Sequence, residues 1–111
     1  MKPISDASKF YEVEYRAHHA ERPGFRINEL KISPTQKVPW HYHKNVQDTS
    51  YVLEGSLRIF MREPKGEVQL APGETCSVPP GRPRLVTNSS VSSTIFLVLQ
   101  GIGDYDYVPV V

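Results

Sequence analysis

Proline and glycine cut this chain into short pieces, and that constrains its fold more than any other feature. Ten prolines and seven glycines in 111 residues stand mostly between short apolar runs. Proline removes a backbone donor and fixes φ, and glycine supplies the positive φ of tight turns, so each cluster ends one extended segment and starts another. Val38 to His43, Ser50 to Leu53, Leu57 to Glu63, Val68 to Leu70, Thr75 to Val78 and Arg84 to Thr87 read as strands. Thr94 to Leu99 and a terminal strand, Tyr105 to Val110, follow. Between them lie the turns Pro64 to Glu67, Pro72-Gly73 and Pro79 to Pro83, and the loop Asn88 to Ser93. Strands at roughly eight-to-twelve-residue spacing, with no strong amphipathic helix, predict a small all-β sandwich or barrel.

Local detail follows from side-chain parity. Leu57, Ile59 and Met61 share one face of their strand and Arg58 and Arg62 the other. Glu54-Gly55 reads as a tight hairpin between Ser50–Leu53 and Leu57–Glu63. Phe25/Ile27 and Leu30/Ile32 fall on opposite parities, which a bulge near Asn28-Glu29 would reconcile. Thr94 to Leu99 is apolar on both parities and is expected to be covered on both sides. Residues 1–24 form an N-terminal arm or first-strand region ahead of one domain, 25–111. Within the arm, Asp6 to Tyr15 is either a short helix capped by Asp6 or irregular, and the arm either adds a strand to a partner subunit or stays mobile.

Composition excludes several classes. Thirteen basic and twelve acidic residues give a formal net charge of +1, with no block of one sign, which argues against nucleic acid or a membrane surface as the main partner. Once the strands are assigned, no stretch is left for a helix-turn-helix. Met1 to Tyr15 lacks an apolar leader core, and the longest apolar stretch, Ile95 to Leu99, is far too short to span a bilayer. The single cysteine, Cys76, excludes an intrachain disulfide framework and suits a reducing cytoplasm. It is expected to fill space as a small hydrophobe.

His41-Tyr42-His43 carries the chemistry. Side chains two apart on a strand point to the same side, so both imidazoles converge as a metal site requires. Trp40 and Tyr42 take the other parity, as outer packing or dimer contact. The adjacent His18 and His19 face opposite ways and read as surface residues. On the inward parity Ser50, Val52, Ile59, Met61 and Val86 are candidate pocket residues, with Phe96 and Val98 behind them.

Two spaced motifs in register over residues 35–88 resemble the cupin superfamily, and in particular its small single-domain bacterial members. The first, G-x5-H-x-H-x(3,4)-E-x6-G, finds Thr35 in place of glycine, His41, His43, Asp48 in place of glutamate, and Gly55. The second, G-x5-P-x-G-x2-H-x3-N, finds Gly73, Pro79, Gly81 and Asn88, with Arg84 in place of histidine. The resemblance implies a jelly-roll β-barrel, commonly dimeric, with its site inside. By position it implies His41, His43 and Asp48 as ligands of a divalent metal such as Fe, Mn, Ni or Zn.

Arginine cannot ligate, since its guanidinium stays protonated. Two readings therefore stay open. In one, the protein is a metal-dependent enzyme, an oxygenase or isomerase, with Arg84, Ser50 and Met61 contacting a small polar or anionic substrate. In the other, Asp48 and Arg84 pair, no metal binds, and Arg84 captures an anionic ligand in a non-catalytic binding or sensing module.

Overall fold

The computed structural model describes residues 10–110. Ten strands appear among the described residues, in chain order: β1 (Tyr15–Arg22), β2 (Phe25–Ile32), β3 (Lys37–Tyr42), β4 (Gln47–Glu54) and β5 (Leu57–Met61). They are followed by β6 (Gly66–Leu70), β7 (Thr75–Val78), β8 (Arg84–Asn88), β9 (Thr94–Gly101) and β10 (Val108–Pro109). Two five-stranded sheets form, ordered β1-β2-β9-β4-β7 and β10-β3-β8-β5-β6, with every pairing antiparallel. This is the all-β, two-sheet barrel that the sequence predicts. No helix occurs among the described residues.

The inner faces meet over a core of Leu30, Ile32, Val52, Leu57, Ile59 and Phe96, each at most 4% exposed. Leu57, Ile59 and Met61 do share the inward face, as their spacing requires. Burying a side chain of this size contributes about 1.5–3 kcal/mol each, so this layer dominates the driving force for closure.

Glu54-Gly55 is not a hairpin. β4 pairs with β7 and β9, while β5 lies in the other sheet beside β6 and β8. The glycine makes the corner by which the chain changes sheets. Its φ is +90°, and a Cβ there would lie 2.3 Å from Thr94 Oγ1. That hydroxyl is committed: it accepts from Ser56 N–H at 3.1 Å and reaches Asn88 Oδ1 at 2.9 Å. Asn88 also donates to Ile32 O and Ser92 O, so it ties the corner to the loop after β8.

The expected bulge at Asn28-Glu29 is absent. β2 runs in unbroken register with β9, and Asn28, Leu30 and Ile32 point inward while Phe25 and Ile27 lie on the outer parity. The irregularity sits across the ladder, between His18 and Ala20 of β1. Thr94–Leu99 is likewise not covered on both sides: Ile95 and Leu97 are half-buried and Leu99 is 38% exposed. The terminal strand is shorter than expected, limited to Val108–Pro109.

In the N-terminal region, β1 pairs with β2 of its own chain at the sheet edge. Residues 10–14 are not helical, and the rest of the segment considered as a helix, with its Asp6 cap, lies outside the described residues. His18 and His19 are exposed, bonded to Asn28 Oδ1 and Glu29 Oε1 at 2.7 and 2.8 Å. Cys76 packs half-buried against the core, where burial raises its thiol pKa.

Candidate functional site

Both sheets contribute to one polar cluster. β3 presents His41 and, one residue past its end, His43; both are buried, at 4% and 1% exposure. β4 of the opposite sheet presents Asp48, 9% exposed. The ladder places Arg84 of β8 directly across from His41. One ligand atom from each of His41, His43 and Asp48 lies within 4.8 Å of the others.

Backbone carbonyls orient both imidazoles. The β3–β8 register shifts between Val38 and His41, where Pro39 has no N–H for the ladder, and Pro39 O accepts from His41 Nδ1 at 2.7 Å. His43 Nδ1 donates to Asp106 O. Asp106 is in turn held by Lys44 N–H and Asn45 N–H at 2.7 and 3.1 Å. With Nδ1 held by a carbonyl, each ring turns its Nε2 into the site. Such carbonyl contacts fix the tautomer and ring orientation of a metal-binding histidine.

Burial and the neighbouring His43 lower the His41 pKa to about 3, so this ring is a neutral donor across the physiological range. Burial works to raise the Asp48 pKa, but the His43 ring and the Arg84 guanidinium outweigh it and hold the carboxyl below the usual range. His43 Nε2 faces Asp48 Oδ2 at 3.3 Å and has no hydrogen-bond partner among the described residues. Two imidazole Nε2 atoms and a carboxylate thus converge, and a cation bound to all three would take the place of a proton between His43 Nε2 and Asp48. The donor set suits a divalent transition metal.

Arg84 opposes that fit in part. It is 1% exposed, its Nη1 lies 3.5 Å from Asp48 Oδ2, and its Nη2 donates to Pro79 O at 2.9 Å. Nε and Nη1 have no hydrogen-bond partner among the described residues. The expected meeting of Asp48 and Arg84 is therefore present as an ion-pair contact, not as a bidentate bond.

The cavity beside the cluster is small, about 40 Å³. Ser50, Val86, Phe96 and Val98 line it as their parity suggests. Val52, Ile59 and Met61 do not: they pack in the hydrophobic core instead. Arg84 is also absent from the cavity wall, its guanidinium being turned to Pro79 and Asp48. Of the residues expected to contact a substrate, Ser50 lines this cavity and Arg84 and Met61 do not.

Several wall residues escape the sequence reading. Tyr107 stacks on His41 at 4.5 Å between centroids and 15° between planes. Tyr105 carries the Arg26 guanidinium 3.9 Å above its ring. Burial raises both phenol pKa values, so both remain protonated. Gln100 stands beside Asp48 in the β4–β9 ladder and could be reached by extending the parity of Phe96 and Val98. Asp106 and Tyr107 give no periodic signal.

Comparison with known proteins agrees with this architecture. The double-stranded β-helix protein from Klebsiella pneumoniae, described as an uncharacterized conserved protein, is 19% identical with a TM-score of 0.75, over 95% of this chain and 94% of that one. TT1209 from Thermus thermophilus is 27% identical with a TM-score of 0.71, over 89% and 96% of the two chains. An oxalate oxidase is 18% identical with a TM-score of 0.71, over 78% of this chain but only 46% of its own. No curated protein sequence matches. The Cupin domain family matches residues 28–100, the greater part of the chain and all of the cluster described above, and the protein therefore belongs to the cupins.

Proposed function

We propose that this cupin binds a divalent metal through His41, His43 and Asp48 and acts on a small polar or anionic organic compound held in the adjacent cavity. The unpartnered Nε2 of buried His43, aimed at Asp48, is the observation that carries this reading. Fe, Mn, Ni and Zn all accept two imidazoles and a carboxylate, and an ion so held would supply a Lewis-acidic or redox centre with open positions of the kind oxygenases and isomerases use. The chain's own residues do the rest. Carbonyls of Pro39 and Asp106 keep the rings aimed, Tyr107 covers one face of His41, and the narrow cavity limits water. Likeness to an oxalate oxidase supports a small substrate.

Untagged protein is expected to take up close to one equivalent of one of these metals after incubation, and His41→Ala to lose it, both read by elemental analysis. If wild type retains none, the metal centre is wrong. The Arg84–Asp48 contact would then favour the second reading, a metal-free binding or sensing module.

A homodimer in the reducing cytoplasm, compatible with the free thiol of Cys76, completes the reading. Its support is the outer face of the first sheet. There Ile27, Leu97, Leu99 and Tyr51 occupy adjacent ladder rows, with Leu99 and Tyr51 38% and 37% exposed. Glu29 and Lys31 flank them with opposite signs, which a two-fold pairing of the same face can match. Light scattering is expected to give twice the 12.6 kDa chain mass for wild type and a monomer for Leu99→Glu. A monomeric wild type would overturn this.

A further inference from the structure

Among the described residues, the arginine or lysine that lines the cavity is Arg16. Its partner in the β1–β2 ladder is Leu30, which in turn faces Phe96, and both of those are buried inner-face residues. Arg16 therefore projects over the same concave surface as the histidines and joins them in lining the cavity. Among the described residues its polar contacts are confined to Tyr11, whose hydroxyl lies 3.5 Å from Nη1 and whose ring centroid lies 5.1 Å from the guanidinium. The other ion pairs on this sheet use His19, Arg26, Glu21 and Glu29 and leave Arg16 without a carboxylate among those residues. Two further groups on the same wall are incomplete. Gln100 Oε1 and Tyr107 OH are buried, in residues 8% and 1% exposed, and neither has a hydrogen-bond partner among the described residues. A buried polar atom left unpaired is costly, and two such atoms beside a guanidinium that has no carboxylate among the described residues point to a ligand that completes all three.

We propose that Arg16 anchors the carboxylate of a small hydroxy- or amino-substituted organic acid, whose donor group meets Gln100 Oε1 and whose oxygen accepts from Tyr107 OH. The substrate's charge is thus read by the edge strand β1, on the side of the cavity away from the Asp48–Arg84 contact. Arg84 does not line the cavity: its Nη2 donates to Pro79 O and its Nη1 lies against Asp48. A cavity of about 40 Å³ limits the acid to a few heavy atoms. The assignment deepens the function proposed above and rests on it for the cavity being the ligand site.

Glycolate and its neutral isostere glycolamide are suitable probes, titrated into Zn(II)-treated and chelator-treated protein and followed by NMR. Glycolate is expected to shift the Arg16 Nε and Gln100 side-chain signals and to bind at least about tenfold more tightly than glycolamide in one or both preparations. Arg16→Gln should abolish that preference, and Arg16→Lys should keep part of it. Zinc uptake measured on the same samples tests the metal reading separately. Loss of preference in Arg16→Gln supports the assignment whether or not zinc is bound. Glycolate binding unchanged in Arg16→Gln, or no preference over glycolamide in wild type, overturns it even where zinc is taken up.

Discussion

Asp48→Asn is expected to remove about 3 kcal/mol of folding stability and to lower Tm by roughly 12 °C in metal-free protein. The substitution keeps the side chain's size, so no cavity opens. What changes is the charge beside Arg84, which is 1% exposed and has Asp48 as its ion-pair partner at 3.5 Å. Pro79 O is a neutral acceptor and leaves Nε and Nη1 unserved. Water cannot take over at that depth, so the guanidinium would stay charged in a medium that penalises it. Removing both charges should restore most of the loss, because a buried pair replaced by apolar groups of similar volume is close to neutral. Asp48→Asn combined with Arg84→Met tests that. The pH dependence has a definite sign. The Asp48 pKa is depressed in the folded protein from its ordinary 3.8, so its contribution is full above that pH and fades as pH falls through the lower folded value. The gap between wild type and variant should therefore narrow only in strong acid. A Tm within a degree or two of wild type at neutral pH would mean that the pair carries no net weight.

What was legible in the sequence, and what was not, follows the range of the interaction involved. The inward parity of Leu57, Ile59 and Met61 is a property of one strand, and so is the shared direction of His41 and His43; both read correctly. Glu54-Gly55 did not, because a sheet-changing corner needs the same positive-φ glycine as a hairpin. Only the distant partners of β4 and β5 distinguish the two. Phe25 and Ile27 suggest a bulge only if they share the inward face of Leu30 and Ile32, whereas the outer face of this sheet is itself partly apolar. Tyr107 meets His41, and Asp106 meets His43, across a large sequence gap in a nearly strandless segment where no period exists to read. Spacing put Arg84 beside the histidines. It could not show that the guanidinium would turn away from the cavity, and that leaves charge recognition to a residue from another strand.

Arg84→His is expected to tighten zinc binding by at least about 100-fold, the largest gain any single change should give. Two effects combine. The permanent positive charge leaves a buried site, where a unit charge near a divalent ion costs several kcal/mol even at an effective dielectric of about 20. An imidazole also arrives directly across the ladder from His41, beside a carboxylate no longer shared with a guanidinium. Arg84→Gln separates the two, since it removes the charge without adding a strong ligand, and a gain of at least about tenfold but below that of Arg84→His is expected. Competition against a chromophoric chelator measures all three proteins on one scale. Stability should move in opposite directions with and without metal. Metal-free Arg84→His leaves Asp48 without its cation and should melt below wild type, whereas zinc should raise its Tm more than that of wild type, by linkage. Equal zinc affinities in all three proteins would show that the guanidinium does not govern the ion. Tighter binding in Arg84→Gln alone would show that charge matters but that position 84 cannot deliver a ligand to the site.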